Sequence, residues 1–256
     1  MAAGGKKRSR KAGVGEQKTG DDWYVVRTET QTGRKPLLGV VGGMGTQVTA
    51  CFYEKLHTLQ NVKAEQEYLD IILYSKPTIP DRTAYITGKS SESPLESLLY
   101  VIKTLEAAGA SCIAVPCITS HFFYNELTGA VNIPVLNILD ETAVYTAGCG
   151  FKNVTLLATN GTLKGGVFHS AFKKHGISVS DPPDEIQSLL MEVIYDIKRG
   201  ATVSRDTLDS IIKKSRKTDT DAVVLGCTEL CTIKGDRNGM IDTLDILAAA
   251  ALALLR

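Results

Sequence analysis

Two short segments, far apart in the chain, carry the same chemistry: Val115-Pro116-Cys117-Ile118-Thr119 and Leu225-Gly226-Cys227-Thr228-Glu229. Each follows a β-branched run that reads as a strand, and each starts where a strand should give way to a loop and helix. A thiolate is a competent base and nucleophile, whereas a thiol is neither. A helix N-terminus just after each cysteine would favour the thiolate through its dipole and free amides. Two such groups on opposite faces of one carbon can act as a pair, one removing a proton as thiolate and the other delivering one as thiol. The α-proton of an amino acid is very weakly acidic, so the site must also neutralise the α-carboxylate and the developing negative charge. Arg82 and the backbone amides around Gly43, Gly45 or Thr162 are candidates for that task. Thr119 and Thr228 can hydrogen-bond to sulfur or ligand, while Glu229 and His121 can tune the thiols or hold an ammonium group. A lone cysteine at a strand end is usually packing. The matched pair with its neighbouring threonines is what favours function here. Cys51, Cys112 and Cys149 sit within helix or strand patterns and read as structural, and Cys231 has no assigned role.

The elements that must position these residues alternate from residue 37 onward. Residues 37–41 form a short apolar strand, Gly42-Gly43-Met44-Gly45 a flexible turn, and 46–60 the following helix. Residues 69–74 read as a second strand and 76–93 as a long polar loop containing Pro77, Pro80, Asp81 and Arg82. Ser93-Pro94 starts a helix whose apolar positions, Leu95, Leu98, Leu99, Ile102 and Leu105, follow helical spacing. Residues 111–115 are a third strand, with a helix near 120–127 beyond the first cysteine. The second half opens at Pro134, with a helix at 140–147, a strand at 153–158, a polar turn at 159–162 and a helix ending at Lys174. Helices at 186–198 and 208–214, a strand at 222–225 and a terminal helix at 244–255 complete it. Such alternation predicts an α/β fold with parallel sheet and right-handed crossovers, and ligands then bind beyond the carboxyl ends of the strands. The Gly42 to Gly45 turn, Cys117, the turn at 159–162 and Cys227 all fall at such ends.

Bulk properties exclude more than they select. The 256 residues allow one large domain or two smaller ones, and a hydrophobic fraction of 43% supports a sizeable core. The net charge of +1 gives no reason to expect a nucleic acid partner. Residues 1–35 nevertheless form a basic, Gly-rich tail expected to be disordered, and its Lys6-Lys7-Arg8-Ser9-Arg10-Lys11 run reads as a solubilising stretch more readily than a targeting signal. The six cysteines show neither a C-x-x-C spacing nor a Cys/His cluster, so free thiols in a reducing cytoplasm are expected, with no metal. No signal peptide is visible, and the terminal apolar run is too short for a bilayer.

Five motifs in order resemble the aspartate/glutamate racemase family, closest to its cofactor-independent aspartate racemases. They are Leu38-Gly39-Val40-Val41-Gly42-Gly43-Met44-Gly45, Ile79-Pro80-Asp81-Arg82-Thr83, Pro116-Cys117-x-Thr119-x-His121, Leu157-Ala158-Thr159-x-Gly161-Thr162 and Gly226-Cys227-Thr228-Glu229-Leu230. The resemblance implies two pseudo-symmetric Rossmann-like lobes, with the site between them and a homodimer as the assembly. The expected lobes are residues 36–133 with the C-terminal region 242–256, and residues 134–241. By the same resemblance Cys117 and Cys227 are the acid/base pair, Arg82, Thr119 and Thr162 hold substrate carboxylates, Met44 and Gly45 line the pocket, and Glu229 supports the second cysteine. No cofactor is implied, neither pyridoxal phosphate nor metal. The chain departs from the family pattern at Ile118, where Asn is usual, which removes a donor and an acceptor from the substrate's head group; Ser120 could partly replace them. The function implied is an amino-acid racemase for aspartate, glutamate or a close relative. Maleate isomerisation, or ligand binding by a catalytically weak relative, are the alternatives.

Overall fold

The computed structural model describes residues 35–255, so the basic tail before Lys35 lies outside the described residues. The strands are β1 (Leu37–Gly42), β2 (Asp70–Ser75), β3 (Cys112–Ala114), β4 (Asn153–Ala158), β5 (Ser178–Ser180), β6 (Ala222–Gly226) and β7 (Met240–Asp242). The helices are α1 (Thr46–Leu59), α2 (Arg82–Thr87), α3 (Leu95–Ala107), α4 (Tyr124–Gly129), α5 (Ile138–Gly148), α6 (Asn160–Gly165), α7 (Val167–Lys174), α8 (Asp184–Lys198), α9 (Arg205–Ser215) and α10 (Thr243–Leu255).

The strands form two all-parallel sheets, one in the order β2-β1-β3 and the other β5-β4-β6-β7. Such strands are joined through helices that cover the sheet faces, so the central ones need apolar residues on both faces. All six residues of β1 except Leu37 are buried, as are all of β6 and all but Asn153 of β4. Leu38 pairs with Cys112, and Ala158 with Gly226. These registers put the ends of β1 and β3 side by side in one lobe, and those of β4 and β6 side by side in the other.

One apolar cluster runs through both lobes, from Leu38, Val40 and Phe52 to Leu156, Phe168 and Val224. Helix α10 joins the halves, packing on α1 and α5 and touching β1, β3 and β6. Its Ala248 and Ala251 are wholly buried, and such small side chains let it lie close to its neighbours. Full burial of a side chain such as Phe52 or Phe172 is worth about 1.5–3 kcal/mol. A second cluster packs α3, through Leu98, Val101, Ile102 and Leu105, against Val41, Ile113 and Val115.

Several elements differ from the sequence expectation. The polar loop at 76–93 contains α2, started by the Asp81 side chain, which accepts from the Ala84 amide at 2.9 Å, and ended by Gly88. Six residues are too few to display a helical period, and the capping residues alone carried the signal. The helix expected to end at Lys174 is two helices broken at Gly166. Strands β5 and β7 have three residues each and lacked a readable pattern. Beyond Cys117 the chain forms a 3-10 helix, Ile118–Phe123, before α4, and beyond Cys227 only a single 3-10 turn, Leu230–Thr232. The α-helix dipole expected behind each thiol is therefore replaced by short 3-10 segments, which are weaker anion supports.

Candidate functional site

Four strand ends meet where the two lobes face each other. β3 leads through Val115 and Pro116 to Cys117, β6 leads directly to Cys227, β1 leads to the Gly43-Met44-Gly45 turn, and β4 leads to Thr159 and α6. Gly43 has a φ of 93°, and a β-carbon there would come within 2.4 Å of the Lys76 backbone, so the turn accepts only glycine. The peptide bond between Met44 and Gly45 is cis. Both sulfur-bearing residues are nearly sealed from solvent, Cys117 at 6% exposure and Cys227 at 4%. The Thr228 hydroxyl donates to the Pro116 carbonyl at 3.1 Å, tying the two cysteine turns together across the cleft.

The surroundings of Cys227 are ionic. Its thiol donates to Glu229 Oε2 at 2.9 Å, and Glu229 Oε1 lies 3.6 Å from Lys198 Nζ without a hydrogen-bond partner. Burial pushes the Cys227 thiol well above its ordinary pKa, and the Glu229 charge pushes the same way against the pull of Lys198. Cys227 is therefore a thiol at neutral pH. Burial works against the charge on Lys198, but Glu229 and the two cysteines outweigh it and the repulsion of Arg82, holding the ammonium above the ordinary lysine value. Gly45 sits directly beside this pair: a β-carbon on it would be 3.6 Å from Glu229 Oε1.

The surroundings of Cys117 are backbone and hydroxyl. His121 Nδ1 is 3.1 Å from the Cys117 carbonyl, and its Nε2 accepts from the Ile138 amide at 3.4 Å. Its Nε2 also lies 3.3 Å from the Leu136 carbonyl, and burial lowers the imidazole pKa against the help of the neighbouring carbonyls, so the ring is neutral. With both nitrogens engaged, His121 holds the Cys117 turn to the start of α5. The Ser120 hydroxyl is wholly buried and donates to the Met44 thioether at 3.4 Å, a weak acceptor. Ile118, 2% exposed, packs into the large apolar cluster.

Thr119, Thr159 and Thr162 form a closed triangle of hydroxyls with edges of 3.0, 3.0 and 3.1 Å. Thr119 comes from the first lobe and the other two from the second. The approach is possible because Gly161 lacks a side chain: a β-carbon there would meet Thr83 Cα at 2.8 Å and Thr119 Cγ2 at 3.1 Å. Arg82 is 7% exposed; its Nη1 donates to the carbonyls of Ile79 and Pro80, and its buried Nε has no partner. A buried guanidinium donor left unpaired is costly, and an anion is the kind of group that could relieve it. Its exposure also differs from the solvent-facing position a Pro-rich loop suggests.

The helix expected at 186–198 is α8, and the sequence pattern marked no site residue on it. Gln187, Met191, Tyr195 and Lys198 recur at helical spacing along it, the first two reaching Asn160 and the others reaching Asp81 and Glu229. Gln187 donates to the Ala158 carbonyl at 2.9 Å and to Asn160 Oδ1 at 2.7 Å, while the Met191 sulfur accepts from the Asn160 amide. Tyr195 donates to Asp81 Oδ2 at 3.0 Å, and Lys198 pairs with Glu229. The readable signal was a lysine and a glutamine in phase with the buried Leu190, Ile194 and Ile197. Among the described residues, no group of three or more His, Cys, Asp or Glu side chains is arranged to hold a metal ion, and no helix is long and apolar enough to cross a membrane.

Comparison with known proteins agrees with this architecture. An aspartate racemase of Picrophilus torridus superimposes with a TM-score of 0.76 at 31% identity, over 85% of this chain and 94% of that one. An aspartate racemase homologue from Pyrococcus horikoshii OT3 gives a TM-score of 0.68 at 26% identity, over 86% and 99%. A broad specificity amino-acid racemase of Bacillus subtilis (strain 168) is 24% identical over 222 residues, 84% of this chain and 95% of its own. The family model for Asp/Glu/Hydantoin racemase matches residues 41–253. With that span covering most of the fold and all four strand ends, the chain belongs to the Asp/Glu/hydantoin racemase family of isomerases.

Proposed function

We propose that this protein racemises a dicarboxylic amino acid, aspartate, glutamate or a close relative, by proton transfer between Cys117, Cys227 and the α-carbon, without a cofactor. The observation that carries the reading is the delivery of two buried cysteines from equivalent strand ends of the two lobes, with two cations, Arg82 and Lys198, in the same cleft. The transfer needs one base and one acid; with the Cys227 S–H already directed at Glu229, Cys227 is assigned the acid and Cys117 the base. Its sulfur takes the α-proton from one face, the electron pair left on the α-carbon delocalises into the carboxylate, and the Cys227 S–H delivers its proton to the other face. The new Cys227 thiolate then lies close to the Lys198 charge. The reverse direction uses the same two groups with their protonation exchanged.

Arg82 and Lys198 are assigned to the substrate's two carboxylates, with Thr119 and Thr162 as hydroxyl donors to the one nearer Arg82. Met44 and Gly45 line the pocket, and Thr228 holds the two cysteine turns together. Glu229 orients Cys227 and His121 supports the Cys117 turn. The ammonium group is placed against Ser120, because Ile118 offers no polar atom. The proposal includes a homodimer working in the cytoplasm, with lobes bounded at 36–133 with 242–256 and at 134–241. Ile118 favours a second reading, a relative that binds the amino acid or a related dicarboxylate such as maleate and turns aspartate and glutamate over weakly.

The two readings part on one experiment. The protein is incubated with D- and L-aspartate, then D- and L-glutamate, in heavy water, and the α-proton signal is followed by NMR. Loss of the signal, abolished in the Cys117→Ala/Cys227→Ala double variant, is the expected result. Retention of every α-proton signal overturns the racemase reading for these substrates.

A further inference from the structure

We propose that Tyr195 is a positioning residue that clasps the two lobes shut over the substrate through Asp81; the inference rests on the racemase reading for its kinetic arm and stands apart from it for its structural arm. The substrate must reach two thiols that are 6% and 4% exposed, so the lobes have to part and close again. Contacts that join the lobes around the cysteine turns include the threonine triangle, the Thr228 bond to Pro116, and the Tyr195 hydroxyl bond to Asp81 Oδ2 at 3.0 Å. The first two lie beside the groups assigned to chemistry. The third is the one made by a residue with no assigned part in it.

Asp81 is built for two bonds at once. Its Oδ1 caps α2 through the Ala84 amide at 2.9 Å, and its Oδ2 receives the Tyr195 hydroxyl. The residue after it is Arg82, so the clasp fixes the start of the helix that presents the guanidinium. On the other side, Tyr195 lies one turn before Lys198, whose ammonium sits 5.3 Å from the centre of the tyrosine ring. One hydroxyl therefore links the mounting of both cations, and its making and breaking coincides with closure and opening. A bond present only in the closed form raises the population of that form, and hence apparent substrate affinity, without touching the reacting atoms.

The test compares wild type with Tyr195→Phe, Asp81→Asn and the double variant. A hydrogen bond to a charged group lost from the closed state predicts KM raised roughly threefold to tenfold in Tyr195→Phe with kcat within about twofold. A carboxamide has a single acceptor oxygen to serve both donors, so Asp81→Asn should also raise KM, and the two changes together should raise it by less than the product of the singles. Unchanged KM in Tyr195→Phe, a fall in kcat alone, or fully multiplicative effects overturn the clasp. Hydrogen exchange without substrate supplies the independent arm: residues 82–87 and 160–165 should exchange several-fold faster in Tyr195→Phe. If wild type racemises neither aspartate nor glutamate, the racemase reading fails and this arm decides alone, faster exchange upholding the clasp and equal exchange overturning it.

Discussion

The turns after β3 and β6 share a backbone plan and differ in charge. Each follows a buried parallel strand and ends in a cysteine beside a 3-10 segment. Around Cys117 the fold places backbone, a neutral imidazole and hydroxyls. Around Cys227 it places a carboxylate and an ammonium. Repeating a strand-turn plan is a simple way to bring two identical side chains to one cleft, because parallel strands direct all their C-terminal ends to one edge. It does not make those side chains chemically equal. The inequality comes from Glu229, which accepts from the Cys227 thiol; Lys198, on a helix that belongs to neither turn, pairs with Glu229 and lies near both cysteines.

Removing the ammonium should affect the comparison most. Lys198→Met leaves Glu229 without a cation, and Cys227 without the charge that supports its thiolate. A truncated buried charge pair of this kind costs about 3 kcal/mol, so kcat/KM should drop roughly a hundredfold. Steady-state rates in both directions measure it, and a loss under about threefold would remove Lys198 from the site.

The alkaline limb of stability gives the next test. Burial raises Cys227 and Cys231 well above the ordinary thiol value and Cys112 to about 12. The folded protein thus keeps protons that the unfolded chain releases above a pH of about 8.5. Their stabilisation is whole below that pH and declines as pH rises towards the folded values, by about 1.4 kcal/mol per pH unit for each thiol. Denaturant melts from pH 8 to 10.5 should show the decline, and Cys227→Ala should flatten it by one thiol's share.

Glu229→Gln sharpens the contrast from the other side. Without the carboxylate, Cys227 loses the second cause of its raised pKa while its burial stays, so its alkylation by iodoacetamide at pH 8 should quicken by roughly fivefold. The rate at Cys117, followed by mass spectrometry of the same samples, should hold constant. Equal change at both thiols would mean that the variant had opened the cleft. Thr228→Val should do least: one neutral hydrogen bond between the turns, about 1 kcal/mol in a denaturant melt.

Most of the frame was legible because fully buried parallel strands demand runs such as Leu38-Gly39-Val40-Val41 and Ala222-Val223-Val224-Leu225. The two cysteines were legible because they stand at the ends of those runs. Helix α2 was hidden by its length, and with it the burial of Arg82. Lys198 and Tyr195 were hidden for another reason: the pattern of an amphipathic helix shows which positions face inward but not what they face. That Tyr195 meets Asp81, 114 residues away, is a property of the tertiary fold. The asymmetry of the thiols was legible in part, in Glu229 two residues after Cys227, while the cation that pairs with Glu229 comes from a different element.

The triangle of Thr119, Thr159 and Thr162 carries one more consequence. In the free protein these hydroxyls satisfy one another, so a ligand that takes Thr119 and Thr162 must first replace existing bonds. An amide or an alcohol would trade a neutral hydrogen bond for another of similar strength. A carboxylate would trade it for a charge-assisted bond of roughly twice the strength. The triangle would then act as a filter that recognises an anion without itself bearing charge, turning away asparagine and glutamine at the point where their acids are admitted.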